Sequence, residues 1–435
     1  VKDLLAMRQT STHKQKIAEM TLINHLNVGK IIPNALGIST ITDLIDFFGE
    51  NCSQITQLNL QNFIEVTDSD IEKISQHCGK LSHLLLKKSI ITNASVIHLE
   101  KMKLLTSLSL SDCTILNDFS FLQNCKFLTS LDFTWCTQIN DFSFLQDCKN
   151  LTNINLFGCV QINDFSFLQN CKFLTSLDLS GCIEINDISF LQHYKKLTSL
   201  NLKACNKIND FRFLQDCKEL TNINLSSCRQ IDDFSFLQDC KVLTNLDLSR
   251  CYQIDDISFL QQCPKLTSLD LTECNQINDF SFLQHCKELT NLNLSGCAVI
   301  HDFSFIQHCK DLRSLDLSRC NQIDDISFLQ HCKDLRSLNL TFCDLDDFSF
   351  LQHCNELTNL NLSYGDINDF KFLKDLKKLK NLDLSGCNIN DFTFLEDCKE
   401  GTNINFSLNN VPNDTIIQLL RNKGITVTLP ERIFT

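Results

Sequence analysis

Nothing in these 435 residues is long and apolar enough to cross a bilayer, which takes ~20 residues, so no transmembrane helix is expected. Residues 1–30 lack the basic-then-apolar pattern of a secretory signal. Signatures of common chemistry are missing too. There is no Gly-rich phosphate loop, no His-Glu-x-x-His, no Cys-x-x-Cys pair and no Gly-x-Ser-x-Gly. Carboxylates are plentiful, but they recur in step and show no pair of contrasting environments for acid–base work. A basic excess is absent as well: 39 Lys and Arg face 52 Asp and Glu, for a net charge of −13. That argues against a general nucleic-acid or anionic-membrane surface. The expectation is therefore no enzyme, no cofactor, no metal, no nucleic acid and no membrane.

What the chain does have is repetition. "LTSLDLSGCIEINDISFLQHYKK" (174–196) returns as "LTNLDLSRCYQIDDISFLQQCPK" (243–265). Leu105, Leu128, Leu151, Leu174, Leu197, Leu220, Leu243, Leu266, Leu289, Leu312 and Leu335 are spaced by 23, and Leu357, Leu379 and Gly401 continue at 22. Looser copies begin near Ile55 and Leu81. A fixed period of this size signals a solenoid. In each unit Leu-Asp-Leu alternation, as at Leu177-Asp178-Leu179, is the period-2 pattern of a half-buried strand. Stacked units make a parallel sheet over one continuous core. The return leg has about ten residues, which suits a 3₁₀ turn or one to two α-turns. An Asp before it, recurring from Asp118 to Asp391, is placed to cap that turn through N–H groups two or three residues on. A thin outer wall against the strand spacing should curve the solenoid.

The 25 Cys obey the same phase. Twelve follow the strand, from Cys113 to Cys343 and at Cys387; eleven form a second column, from Cys125 to Cys398; only Cys52 and Cys78 fall outside. Tyr194, Gly365 and Leu376 substitute where a column breaks, which a disulfide or metal site would not tolerate. The thiols are thus expected to be reduced core residues, favouring a reducing cytosol. Sequons at Asn224, Asn293, Asn339 and Asn361 inside the strands agree, since sugars there would coat the sheet.

Leu-x-x-Leu-x-Leu-x-x-Cys is the signature of leucine-rich repeats, and Cys-x-x-Leu-x-x-Leu-x-Leu-x-x-Cys-x-x-Ile-x-Asp resembles their cysteine-containing class, seen in ubiquitin-ligase adaptors. The resemblance covers about residues 55–409 and implies an α/β solenoid, a horseshoe with a parallel concave sheet and short turns outside. Units of 22–23 residues are shorter than that class usually has. Residues 1–54 read as a helical N-terminal cap, 55–409 as about 16 repeats, and 410–435 as a C-terminal cap with a helix, a stop at Gly424 and a terminal strand.

Differences between copies point to function. The outer row Lys126, Lys149, Lys172, Lys218, Lys241, Lys287, Lys310 and Lys333 is uniform and reads as a solvated face. His285, His308, His331 and His353 form a second solvated row, each beside an inward Cys. The central sheet column alternates Asp and Asn, a polar floor that keeps an exposed sheet soluble or receives a partner. Large changes fall just after the strand: Trp135, Phe157, Val160, Lys203, Arg229, Arg250, Tyr252, Glu273, Arg319, Phe342 and Tyr364. Trp, Tyr and Arg are the residue types that anchor interfaces. Trp135 with Phe157, Arg229 with Arg250 and Tyr252, and Phe342 with Tyr364 should form three groups. The reading is a monomeric, non-enzymatic module holding a protein partner on the concave face and adjoining edge. Its Asn-, Ile-, Lys- and Phe-rich, nearly unmutated repeats resemble bacterial effectors that act on host proteins, implying the cytoplasm or a host cytosol. The alternative is a substrate adaptor of a ubiquitin ligase with an F-box-like N-terminus.

Overall fold

The computed structural model describes residues 2, 5, 6, 12–27, 33–63, 65–345, 347–367, 369–387, 389, 392–407 and 414–429. Asp391, the last of the expected capping Asp residues, and residues 410–413, where the expected C-terminal cap begins, lie outside them. The chain forms two compact units, residues 1–217 and 218–435, and their boundary falls inside the repeat array.

The first unit opens with helices Thr12–Asn27 and Ile41–Phe48. Thr40 caps the second of these: its hydroxyl accepts from Asp43 N–H at 3.0 Å, and Asp43 accepts from Thr40 N–H at 3.1 Å. Ala18, Leu22, Ile23 and Leu26 are buried, and the Asn27 side chain accepts from Thr56 N–H at 2.6 Å. The N-terminal helix thereby ties to the start of the first strand, Gln57–Asn59. Among the described residues this unit holds seven parallel strands, ending with Ser199–Asn201. The second unit holds ten, from Asn222–Asn224 to Thr426–Thr428. Its last elements are the helix Asp414–Asn422, Gly424 at φ 71° and the terminal strand.

Register is the same from repeat to repeat: Ser176, Leu177 and Asp178 face Ser199, Leu200 and Asn201 in one unit, and Asn245, Leu246 and Asp247 face Ser268, Leu269 and Asp270 in the other. In each regular three-residue strand only the middle residue, Leu or Ile, is buried, and Leu177 and the following Leu179 are at most 1% exposed. The return is a 3₁₀ helix of four or five residues in every regular repeat, such as Ser166–Asn170. It begins as expected with an Asp: Asp164 accepts from Ser166 N–H and Asp256 from Ser258 N–H, both at 2.8 Å. The reach is two residues, an Asx turn placed just ahead of the helix. Phe rings line the wall from one repeat to the next, Phe142 on Phe167 at 5.5 Å and Phe370 on Phe394 at 4.0 Å.

All 25 thiols are free, and every one but the half-buried Cys398 is buried. Strand-column thiols donate to a carbonyl of the preceding repeat: Cys136 to Leu110 at 3.2 Å, Cys182 to Leu156 at 3.3 Å, Cys274 to Leu248 at 3.1 Å. The second column does the same more loosely, with Cys148 to Leu122 at 3.7 Å and Cys217 to Leu191 at 3.4 Å. Tyr194 fits this column because its hydroxyl donates to Leu168 O, the equivalent acceptor. Burial raises these acids: Cys125, Cys171 and Cys263 to about 11, and Cys148, Cys217, Cys286 and Cys332 to about 12.

Candidate functional site

The strand ends in a turn made by its own last side chain. Asp132 Oδ1 accepts from Thr134 N–H at 2.9 Å, and Asn224 Oδ1 does the same for Ser226 at 2.8 Å. Either Asp or Asn serves, which is why the two interchange in this column. The remaining atoms pair across strands: Asn201 donates to Asp178 at 2.9 Å, Asn293 to Asp270 at 3.0 Å and Asn339 to Asp316 at 2.8 Å. The acid–amide floor therefore has a structural account, and solubility is not needed to explain its pattern.

Immediately after the turn, the residue before each column Cys adopts the left-handed conformation. Gly158, Gly181, Gly296 and Gly386 hold it at φ 69–74°. So do Trp135, Arg250, Glu273, Arg319, Phe342 and Tyr364, at φ 57–59°, and Asp112, Ala204 and Ser227, at φ 60–61°. The geometry is enforced by the ladder, because the N–H of this residue bonds the next repeat: Trp135 to Phe157 O at 2.7 Å, Gly158 to Ser180 O at 2.9 Å, Tyr364 to Ser385 O at 2.9 Å. Left-handed backbone disfavours any residue with a Cβ by roughly 1–2 kcal/mol. Bulky side chains stand here where glycine is the unstrained choice.

Their packing follows from strand spacing. Equivalent positions recur every ~4.8 Å along a sheet, close to the stacking distance of rings. Trp135 meets Phe157 at 4.8 Å and lies on Gly158, whose added Cβ would sit 2.6 Å from Trp135 Cε3. Phe342 stacks on Tyr364 at 4.4 Å and 11°, the Arg319 guanidinium lies 5.6 Å over the Phe342 ring, and Tyr364 rests on Gly386 in the same way as Trp135 on Gly158. With Arg319 on one face and Tyr364 on the other, Phe342 offers its ring edge to solvent. Between these groups Arg229 lies 5.4 Å over Tyr252, while Glu273 accepts from the Tyr252 hydroxyl at 3.1 Å and pairs with Arg250 Nε at 3.3 Å. Trp135, Phe342 and Tyr364 are 40–46% exposed.

All three expected groups thus assemble, and Arg319 joins the third. Lys203 is exposed and, among the described residues, joins none of the ring contacts or ion pairs of these groups, and Val160 is half-buried beside Cys159. Reading the sequence missed Gly158 and Gly386 as ring seats; glycine recurring before Cys was the available signal. The His column is exposed while its Cys neighbours are buried, so the two face different sides. On the sheet face of the second unit, Asp316, Ser337, Asn339, Asn359, Asn361 and Asp383 line a depression of ≈ 390 Å³.

Known families match this pattern. "BspA type Leucine rich repeat region (6 copies)" matches residues 95–214, "Leucine Rich repeats (2 copies)" matches 241–285 and 287–331, and "Leucine Rich repeat" matches 331–347 and 376–391. Together they cover more than half of the chain. This is a leucine-rich repeat protein. Such proteins are generally protein-interaction modules and typically not enzymes. No curated protein matches significantly. Among solved structures, this leucine-rich repeat chain is similar to an internalin (InlF) of Listeria monocytogenes, at 21% identity over 83% of this chain and 93% of that one, TM-score 0.53. It is similar to a leucine-rich repeat protein of Leptospira interrogans, at 17% identity over 84% and 100%, TM-score 0.64. It is also similar to the functional domain of Listeria InlJ, which includes a cysteine ladder, at 19% identity over 82% and 75%, TM-score 0.52. At these identities the likeness speaks to fold alone.

Proposed function

We propose that this leucine-rich repeat protein holds a protein partner along the edge of the sheet where the strands end, with Trp135, Phe157, Lys203, Arg229, Arg250, Tyr252, Arg319, Phe342 and Tyr364 as the contact residues. The observation that carries this reading is the left-handed column. From Trp135 to Tyr364, six large or charged side chains occupy a conformation that four other repeats give to glycine and two, at Ala204 and Ser227, give to small residues. Strain kept at an exposed position where glycine would serve is a mark of function. Exposed Trp, Tyr and Arg in groups have the chemistry of interface anchors. Buried free thiols support a reducing compartment, the cytoplasm or a host cytosol.

A triple variant, Trp135→Gly, Arg250→Gly and Tyr364→Gly, tests it. Each change installs the residue that other repeats carry at that position, so the fold should persist. Affinity capture from a eukaryotic cytosolic lysate should retain a defined partner with wild type and lose it with the triple variant, while Lys241→Ala on the outer row retains it. Identical retention by wild type and the triple variant would refute the edge as the site.

A further inference from the structure

The opposite end of the strands carries its own break in the repeat. The residue before each strand is Thr in every regular repeat from Thr106 to Thr290. Its hydroxyl donates to the backbone one repeat back, as from Thr175 to Thr152 O at 3.1 Å and from Thr290 to Thr267 O at 3.0 Å. In the next two repeats it is arginine: Arg313 and Arg336. The ladder holds them side by side, with Arg313 N–H on Thr290 O at 2.7 Å and Arg336 N–H on Arg313 O at 2.8 Å. Both are exposed. Like charges on neighbouring strands destabilise a sheet. Asp311 and Asp334 stand two residues earlier, also exposed, yet among the described residues neither Arg has a carboxylate within ion-pair distance. Thr restored at both positions would remove the repulsion, so the pair is held against the stability of its own sheet.

We propose that Arg313 and Arg336 bind a phosphate monoester carried by a segment of the protein partner. Two adjacent guanidiniums present two planar forks and a charge of +2. A carboxylate fills one fork and balances one charge. A phosphate monoester carries about −1.5 to −2 at pH 7 and has three terminal oxygens, enough for both forks. The place fits a peptide carrier. Ser337 and Asn359, beside the arginines, line the ≈ 390 Å³ depression, which continues to Asp316 and Asn361 and so toward the Arg319–Phe342–Tyr364 stack. The strand path from Arg313 to Arg319 is about six residues, or ~20 Å, a length that a short extended segment spans. The carrier rests on the proposed edge function; the oxyanion site does not.

The test uses the full chain and a double variant, Arg313→Thr with Arg336→Thr, which installs the Thr that most other repeats carry there. Inorganic phosphate, glutarate and chloride are titrated at equal ionic strength and the thermal midpoint is followed. Phosphate should raise the wild-type midpoint more than glutarate or chloride, and the double variant should lose that difference. A phosphoserine hexapeptide should then bind wild type at least about tenfold more tightly than its unphosphorylated form. Equal phosphate responses in wild type and double variant, or glutarate matching phosphate, would overturn the site. A phosphate response with the phosphopeptide no tighter than free phosphate would overturn the peptide carrier and point to a small phosphorylated molecule or a lipid headgroup. The glycine triple variant keeps both arginines, so its phosphate response should be intact; the edge reading and the phosphate site therefore fail in different samples.

Discussion

Arg250 occupies backbone that would be more stable as glycine, and that inverts the usual expectation for a truncation. Arg250→Gly should leave the unfolding free energy unchanged or raise it by up to ~1 kcal/mol, because relief of the left-handed strain offsets the added chain freedom and the lost half-exposed pair with Glu273. Gly386→Ala should do the reverse and cost about 1–3 kcal/mol, since its φ is +69° and its new Cβ would sit 2.6 Å from the Tyr364 ring. Urea titration of the two variants checks both signs; destabilisation by Arg250→Gly as large as that by Gly386→Ala would remove the strain argument. The sequence showed which residues vary here, and it showed Trp, Tyr and Arg among them. It did not show that Trp135 and Tyr364 each lie on a glycine one repeat on, because period-2 reading stops at the last strand residue and carries no dihedral angle. The clamp of Glu273 on Arg250 and Tyr252 was illegible for a related reason, since it depends on rotamers across two strands.

A single repeat is the element of this fold, and its two sides should respond differently. Leu179→Ala deletes a fully buried side chain and should cost ~2–5 kcal/mol. Asp178 faces solvent, yet it accepts from Ser180 N–H at 2.8 Å and from Asn201 at 2.9 Å. Asp178→Ala should therefore cost about 0.5–2 kcal/mol, as loss of a cap does, while Asp178→Asn keeps the Oδ1 acceptor and should cost less than ~0.5 kcal/mol. Thermal or chemical melts of the three variants give the order; Asn melting like Ala would show that the turn does not need that oxygen. Strand, return and core were legible in the repeat because every copy restates the same alternation, so noise in one unit is corrected by its neighbours. The role of the Asp/Asn column was not, because a polar residue on an open sheet face reads equally as solvation or as recognition until its bonds are seen.

Across the whole molecule the cysteine columns bury an unusual number of weak acids in an apolar interior, and the first consequence is slow chemistry. Thiols held neutral and covered should resist mild alkylation at pH 7.5 and label together only on unfolding, a contrast that mass spectrometry with and without denaturant reads directly. The second consequence concerns the pH range in which the fold can exist. An unfolded thiol ionises near ~8.5. In the folded chain Cys125, Cys171 and Cys263 are raised to about 11, and Cys148, Cys217, Cys286 and Cys332 to about 12. A folded value above the unfolded one means the stabilisation is complete below pH ~8.5 and is lost as pH rises toward the folded values. Each such thiol removes about 1.4 kcal/mol per pH unit in that window. The losses of these thiols all run in the same direction and add to one another as pH rises. Circular dichroism should show a steep alkaline collapse between about pH 9 and 10, and replacing several column thiols by Ala should push it upward; a chain still folded at pH 10.5 would contradict the linkage. Each added repeat that lengthens the sheet edge also adds titratable thiols to the core, so extending the array by duplication sharpens its intolerance of base.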